Sequence, residues 1–241
     1  MCRHVAYLGT AVPLAGVLYD APHSLEHQSY APADMRAGGT VNVDGYGVGW
    51  FPGPVRYRRA GTLWSDPNLR QLAQAHSTAF LAAVRSATVG MPVSDAACAP
   101  FTDGTWLFSH NGRVDGWPGT VAGLAKTLDV TDLLTMDAPT DSALLWTVLR
   151  RRLETGKNPA QTLVELVREV ADAAPKSRLN FLLTNGKILA GTTWTHALWV
   201  LQKAQGVTIA SEKLDDDPGW REIPDRHVVT ADPSTVEVHP I

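Results

Sequence analysis

A chain of 241 residues with 44% hydrophobic and 19% charged residues has the composition of a globular protein with a substantial core. Its net charge of -3 gives no electrostatic footprint for nucleic acid, so small-molecule chemistry is the default. Two cysteines, Cys2 and Cys98, are too few for a disulfide framework and are expected to be free thiols.

Residues 5–19, VAYLGTAVPLAGVLY, are apolar enough to suggest a signal core. Pro13 interrupts them and Asp20 follows at once, so neither export nor a membrane is expected and the chain is read as cytoplasmic. CRHVAYLGT, residues 2–10, has the β-branched and aromatic content of a strand. VNVDGYGVGWF, residues 41–51, places Gly45, Gly47 and Gly49 between apolar positions. That pattern predicts a turn running into a strand approached closely by a backbone or a ligand.

In LRQLAQAHSTAFLAAVR, residues 69–85, apolar positions recur three and four apart, which predicts a helix ending near Arg85. RSATVGMPV then reads as strand-like, SDAACAPFTDG as irregular, and TWLFSHNGRV as a strand that breaks at Asn111-Gly112. Helices are expected over 141–154, with Thr140 as cap, and over 159–174, with Pro159 in the first turn. NFLLTNGKILAGTTWTHALWVL carries a hairpin signal at Asn185-Gly186, and GVTIASEKL reads as a second hairpin-like piece. No repeat or low-complexity tract divides the chain, so one domain over residues 1–241 is expected, with face-to-face sheets and helices outside.

Cys2 becomes the N-terminal residue if Met1 is removed. Its α-amine, with a reference pKa of about 7.7–8.0, can then accept the proton of its own thiol, at about 8.5. One residue would be both nucleophile and base; otherwise a cysteine here is an ordinary small buried side chain. Asn111 and Gly112, in FSHNGRV, offer a side-chain amide and a backbone N–H to a developing oxyanion, one such donor being worth about 2.7–4 kcal/mol. Alone, an Asn-Gly pair is a turn. If the acyl group is γ-glutamyl, its carboxylate asks for a cation, which Arg85 supplies with bidentate geometry. Its ammonium asks for an anion, and Asp141 stands at a helix start where it either serves that purpose or caps.

With CRHVAYLG, NVDGYGVGW, RSATVG, FSHNG and PTDS in this order, the chain resembles the class-II glutamine amidotransferases, which are N-terminal-nucleophile hydrolases. The likeness runs from about residue 2 to 231, strongest in the N-terminal half. It implies an α+β fold, a four-layer αββα sandwich. Within the family, MCRH, QSYAP, the PVS after RSATVG and ASEKLDDDPGWREIPD are similar to the ergothioneine-biosynthesis amidohydrolases. Those enzymes cleave the γ-glutamyl amide of γ-glutamyl-hercynylcysteine sulfoxide. The resemblance makes Cys2 the nucleophile, Asn111 with Gly112 the oxyanion hole, Arg85 the grip on the glutamyl carboxylate and Asp141 the grip on its amine. It implies no metal or organic cofactor, a small-molecule γ-glutamyl substrate and no required protein partner.

This chain departs from its relatives in AACAPF, where Ala97 and Ala99 replace the Asn and His often found, and at Ala143 after TDS, where an acidic residue is frequent. Trp50, Trp106 and Trp117 are candidates to face a trimethylammonium group, against ordinary aromatic packing. Cys2, His4 and His110 lack the paired spacing of a zinc site, and Asp215-Asp216-Asp217 reads as a solvated turn. Two other functions compete: a glutaminase subunit feeding ammonia to a partner synthase, whose activity would rise with that partner, and a non-catalytic binding module, to which Ala97 and Ala99 lend weight.

Overall fold

The computed structural model describes residues 2–34 and 41–241. In chain order the elements are β1 Arg3–Pro13, α1 Leu25–Tyr30, β2 Gly45–Trp50, β3 Val55–Arg59, α2 Pro67–Leu72, β4 His76–Arg85, β5 Phe101–Thr102 and β6 Leu107–Arg113. They continue with α3 Ala122–Ala125, α4 Val130–Leu134, α5 Asp141–Glu154, α6 Pro159–Ala173, β7 Arg178–Thr184, β8 Leu189–Thr192 and β9 Trp199–Lys203. The chain closes with β10 Gly206–Ala210, β11 Arg221–Glu222, β12 His227–Ala231 and β13 Val236–Pro240. The strands form two antiparallel sheets, ordered β11-β9-β10-β1-β4-β2-β3 and β13-β12-β8-β7-β6-β5.

Three apolar clusters fix the layers. Ala6, Leu8, Leu81, Leu107, Leu182 and Ile209 fill the space between the sheets, alternate strand residues pointing to one face. Phe108, Phe181 and Leu183, on the opposite face of the second sheet, pack against Leu145, Leu149, Leu163 and Val167 of α5 and α6. Val5, Tyr7, Phe80 and Val84, on the outer face of the first sheet, pack under Leu14, Leu18 and Leu25 around α1. The result is the α+β, four-layer αββα order that the family resemblance implies.

The helix expected over 69–85 is a correction. Only Pro67–Leu72 is helical, and His76–Arg85 is the strand paired with both β1 and β2. A strand covered on both faces has no polar side to alternate with, so AFLAAV reads as an unbroken apolar run on which helical spacing falls by chance. Residues 86–93, read as strand-like, are loop. The break expected at Asn111-Gly112 is absent: β6 pairs with β7 through Asn111↔Asn180, Gly112↔Leu179 and Arg113↔Arg178.

Elsewhere the local signals match the structure. Thr140 Oγ1 accepts from Ala143 N at 3.2 Å and caps α5, and Pro159 opens α6 behind the cap Asn158. Asn185-Gly186 joins β7 to β8. GVTIASEKL is one strand, β10, followed by loop, its hairpin partner being the preceding β9. The close approach expected at β2 is made by residues 98–100: a Cβ on Gly45 would lie 2.2 Å from Cys98 Sγ, and one on Gly47 2.4 Å from Ala99 O.

Candidate active site

Cys2 stands one residue before β1, half-buried, its Sγ 3.8 Å from the Ser86 carbonyl. The neighbouring Arg3 points to the outer face of the first sheet and is 2% exposed. Its Nε donates to Glu212 Oε1 at 2.5 Å and its Nη1 to the Cys2 carbonyl at 3.1 Å. Glu212 also accepts from the Ala33 and Asp34 backbone N–H groups at 2.9 and 3.3 Å. A buried, hydrogen-bonded ion pair therefore fixes the backbone of the nucleophile candidate.

His4 points the other way, between the sheets, where its Nδ1 lies 3.2 Å from Ser109 Oγ of β6. Two residues along β6 comes Asn111, and two residues before His4 comes Cys2. Ser211, just past β10, ties these strands together: its Oγ accepts from His4 N at 2.9 Å and from Asn111 Nδ2 at 3.3 Å. Asn111 is 1% exposed and its Oδ1 has no hydrogen-bond partner. Gly112 lies against β7 so closely that a Cβ would sit 1.9 Å from the Arg178 carbonyl oxygen and 2.8 Å from His110 Nε2. Close approach, with the backbone extended, demands glycine here.

Cys2 and Gly112 line one cavity of about 280 Å³ together with Ser86, Thr88, Arg178 and His196. Thr88, Val89 and Arg113 also line an adjoining cavity of about 330 Å³, which reaches Asp141 and Trp117. Because Thr140 caps α5, the Asp141 carboxylate is available for other bonds. Its Oδ2 accepts from Val114 N at 2.8 Å and its Oδ1 from Ser142 N at 2.7 Å, leaving acceptor capacity, since a carboxylate offers about four lone-pair sites. Arg85, at the end of β4, lines a third space of about 30 Å³ with Cys2, Ala97, Ala99, His110 and Ser142, and its Nη1 donates to the Pro92 carbonyl at 2.9 Å. Cys2 is thus common to the spaces that hold Gly112 and Arg85, while Asp141 is reached through the wall of 88–89 and Arg113.

Ala97 and Ala99 border the Cys2 site itself, so their small size shapes it. All three tryptophans pack against apolar clusters, and of them Trp117 also lines the cavity beside Asp141. Cys98 is buried and donates to the Ser94 carbonyl at 3.3 Å, and burial pushes its thiol up to about 11. It is inert as a nucleophile at neutral pH.

The histidines around Cys2 are neutral. Burial, reinforced by His110, His196 and Arg3, pushes His4 down to about 3. Burial first, then Arg178, Arg3 and His110, does the same to His196. Burial also lowers His110 against the pull of Asp141; its ring nitrogens lie 3.0 Å from Ser142 Oγ and 2.8 Å from the Arg178 carbonyl. Arg178 and His196, which line the Cys2 cavity, and Asn180, which holds the His196 backbone, have no motif signal in the sequence; Arg3 and Glu212 lie in stretches that carry the family likeness, but only the fold pairs them.

The sequence pattern of the family described as class-II glutamine amidotransferases matches residues 14–217. The chain belongs to this family. It is 42% identical to the γ-glutamyl-hercynylcysteine sulfoxide hydrolase of Mycolicibacterium smegmatis, over 100% of both chains. It is also 42% identical to the enzyme of that name from Mycobacterium tuberculosis, over 95% of this chain and 92% of that one. Among solved structures, a glutamine aminotransferase class-II domain protein from Silicibacter pomeroyi superposes with a TM-score of 0.69 at 23% identity, covering 99% of each chain. Family membership and the shared fold thus rest on separate comparisons. Among the described residues, no helix is long and apolar enough to cross a membrane.

Proposed function

We propose that this class-II family member hydrolyses the γ-glutamyl amide of γ-glutamyl-hercynylcysteine sulfoxide, releasing glutamate and hercynylcysteine sulfoxide in ergothioneine biosynthesis. The observation that carries the reading is the end-to-end identity to the two mycobacterial hydrolases. The position of Cys2 on the Gly112 cavity supports it.

In this mechanism Met1 is removed and the free Cys2 amine takes the thiol proton. The thiolate attacks the γ-carbonyl carbon, and the oxyanion is held by Gly112 N–H and the Asn111 amide. An Asn111 amide reversed about its own axis keeps the Ser211 contact when the Ser211 hydroxyl turns from the His4 carbonyl, which still accepts from Ser211 N, to donate to Oδ1; both Asn111 N–H bonds then stand where Oδ1 was. The C–N bond breaks as the protonated Cys2 amine gives its proton to the leaving nitrogen. Water, deprotonated by the same amine, then cleaves the thioester and frees glutamate. Asp141 receives the glutamyl ammonium and Arg85 its carboxylate, and the 280 Å³ cavity accommodates a leaving group larger than ammonia.

The test is glutamate release from γ-glutamyl-hercynylcysteine sulfoxide and from glutamine, with intact mass recording the loss of Met1. The reading requires kcat/KM for the sulfoxide to exceed that for glutamine by at least tenfold, with no partner protein, and requires Cys2→Ala to abolish both. Glutamine preference, or turnover only with a second protein, would replace it with the glutaminase-subunit reading. A processed chain that hydrolyses neither amide would make it a binding module.

A further inference from the structure

One group in the Cys2 cavity has no part in the mechanism above. His196 lines it with Cys2 and Gly112, is 2% exposed, and neither Nδ1 nor Nε2 makes a hydrogen bond to the protein. Its neighbours differ: His110 has a partner for each ring nitrogen and His4 for one. Buried polar atoms are satisfied in the great majority of cases, and an exception calls for an explanation.

The backbone that carries His196 is held at several points. Asn180, opposite Asn111 in the β6–β7 pairing, accepts from Trp194 N at 2.9 Å and from His196 N at 3.2 Å through Oδ1. Its Nδ2 donates to the His196 carbonyl at 2.9 Å. One buried amide thus engages both backbone polar groups of His196. Thr195, the residue before it, has φ of 92° and is secured by donating from its N–H to Asp225 Oδ1 at 2.7 Å. A non-glycine residue at positive φ persists only where its surroundings enforce it, and such positions gather at functional sites.

We propose that His196 is a further catalytic residue of this site: both ring nitrogens are closed to solvent, and a turn of the ring toward bound substrate lets one of them accept the N–H of the scissile amide and hold the leaving nitrogen beside the Cys2 amine. The inference rests on Cys2 being the nucleophile. A neutral imidazole has one acceptor nitrogen and a protonated one has none. The burial and cationic neighbours that push His196 down to about 3 therefore keep the acceptor available at neutral pH. No bond is made or broken at His196. It orients the leaving nitrogen, and the proton still comes from the Cys2 amine.

The experiment compares His196→Ala and His196→Gln with the wild type in two measurements on the full chain. One is kcat/KM for amide hydrolysis; the other is the rate at which a diazo-ketone glutamine analogue, which has no amide N–H, alkylates Cys2. The expected result is a loss of about tenfold or more in kcat/KM for His196→Ala, the scale of one hydrogen bond to a reacting group. Alkylation should stay within about twofold, and His196→Gln, whose amide oxygen accepts, should recover part of the loss. Unchanged hydrolysis, hydrolysis and alkylation falling together, or a Gln variant as slow as the Ala variant would each overturn the proposal. If wild-type protein hydrolyses glutamine but not the sulfoxide, the proposed substrate fails while the same comparison on glutamine still decides His196. If it hydrolyses no γ-glutamyl amide, both fall.

Discussion

Replacing Glu212 by Gln should destabilise the fold and disturb Cys2 together, because one buried carboxylate supports both. Arg3 and Glu212 side chains are 2% and 6% exposed. Glu212 accepts from Arg3 Nε and from two backbone N–H groups, Ala33 and Asp34. Gln is isosteric but has one acceptor oxygen, so its NH2 must face either the guanidinium or the Ala33 N–H, donor against donor. The Arg3 charge is also left buried without its counterion. Breaking one side of a buried pair costs about 3–5 kcal/mol, a large share of a total stability of about 5–15 kcal/mol. Urea unfolding of both proteins at pH 7 reads that cost. The rate of Cys2 alkylation by the diazo-ketone reads the second effect, since Arg3 also donates to the Cys2 carbonyl, and it should fall severalfold. A Glu212→Gln protein within about 0.5 kcal/mol of the parent, the range of neutral surface changes, would refute the claim that this pair holds the N-terminal strand.

Three further outcomes follow from the structure. Gly112→Ala should destabilise by about 1–3 kcal/mol or more and lower turnover, because the Cβ meets the Arg178 carbonyl at 1.9 Å and the β6–β7 ladder must open; normal unfolding and kinetics would contradict it. Thr140→Ala should cost about 1 kcal/mol in thermal or urea unfolding by removing the α5 cap, and a second effect on KM would show that Asp141 had turned to capping. Stability should fall with acid below pH 6.5, because His4 and His196 bind protons near 6.5 when unfolded but near 3 when folded. The unfolded state binds more protons in that window, so each histidine removes about 1.4 kcal/mol per pH unit as pH drops from 6.5 towards 3. Urea midpoints at pH 7 and pH 5 check this, and His4→Gln should reduce the slope.

The legible parts of the fold were those whose signals are local. The cap at Thr140, Pro159 in the first turn of α6, the Asn185-Gly186 turn and the glycines of β2 each act through the backbone within a few residues, so their sequence carries their structure. β4 was misread because its identity is set by what lies on either side. Only pairing with β1 and β2, and cover from two apolar layers, makes AFLAAV a strand, and neither neighbour is present in a window of the sequence.

Within the site the division follows the same physics. Cys2, Asn111, Gly112, Arg85 and Asp141 are legible because they sit in short stretches that match a family pattern, although Asn111-Gly112 reads there as the break of a strand that in fact continues to Arg113. The residues that hold the site come from the far third of the chain, and nothing in their local sequence says which partner they meet. Asn180 acts only because β7 places it opposite Asn111, with its amide against the 194–197 backbone. Glu212 acts only because the loop after β10 passes outside β1, where Arg3 emerges. In the proposed mechanism the loss of Met1 leaves Cys2 with no covalent neighbour to fix it on one side. The buried Arg3–Glu212 pair and the Ser211 bridge, each contributed by residues about two hundred positions away, supply that restraint. Mutations in 210–212 should accordingly mimic damage at Cys2, even though no substrate atom need touch them.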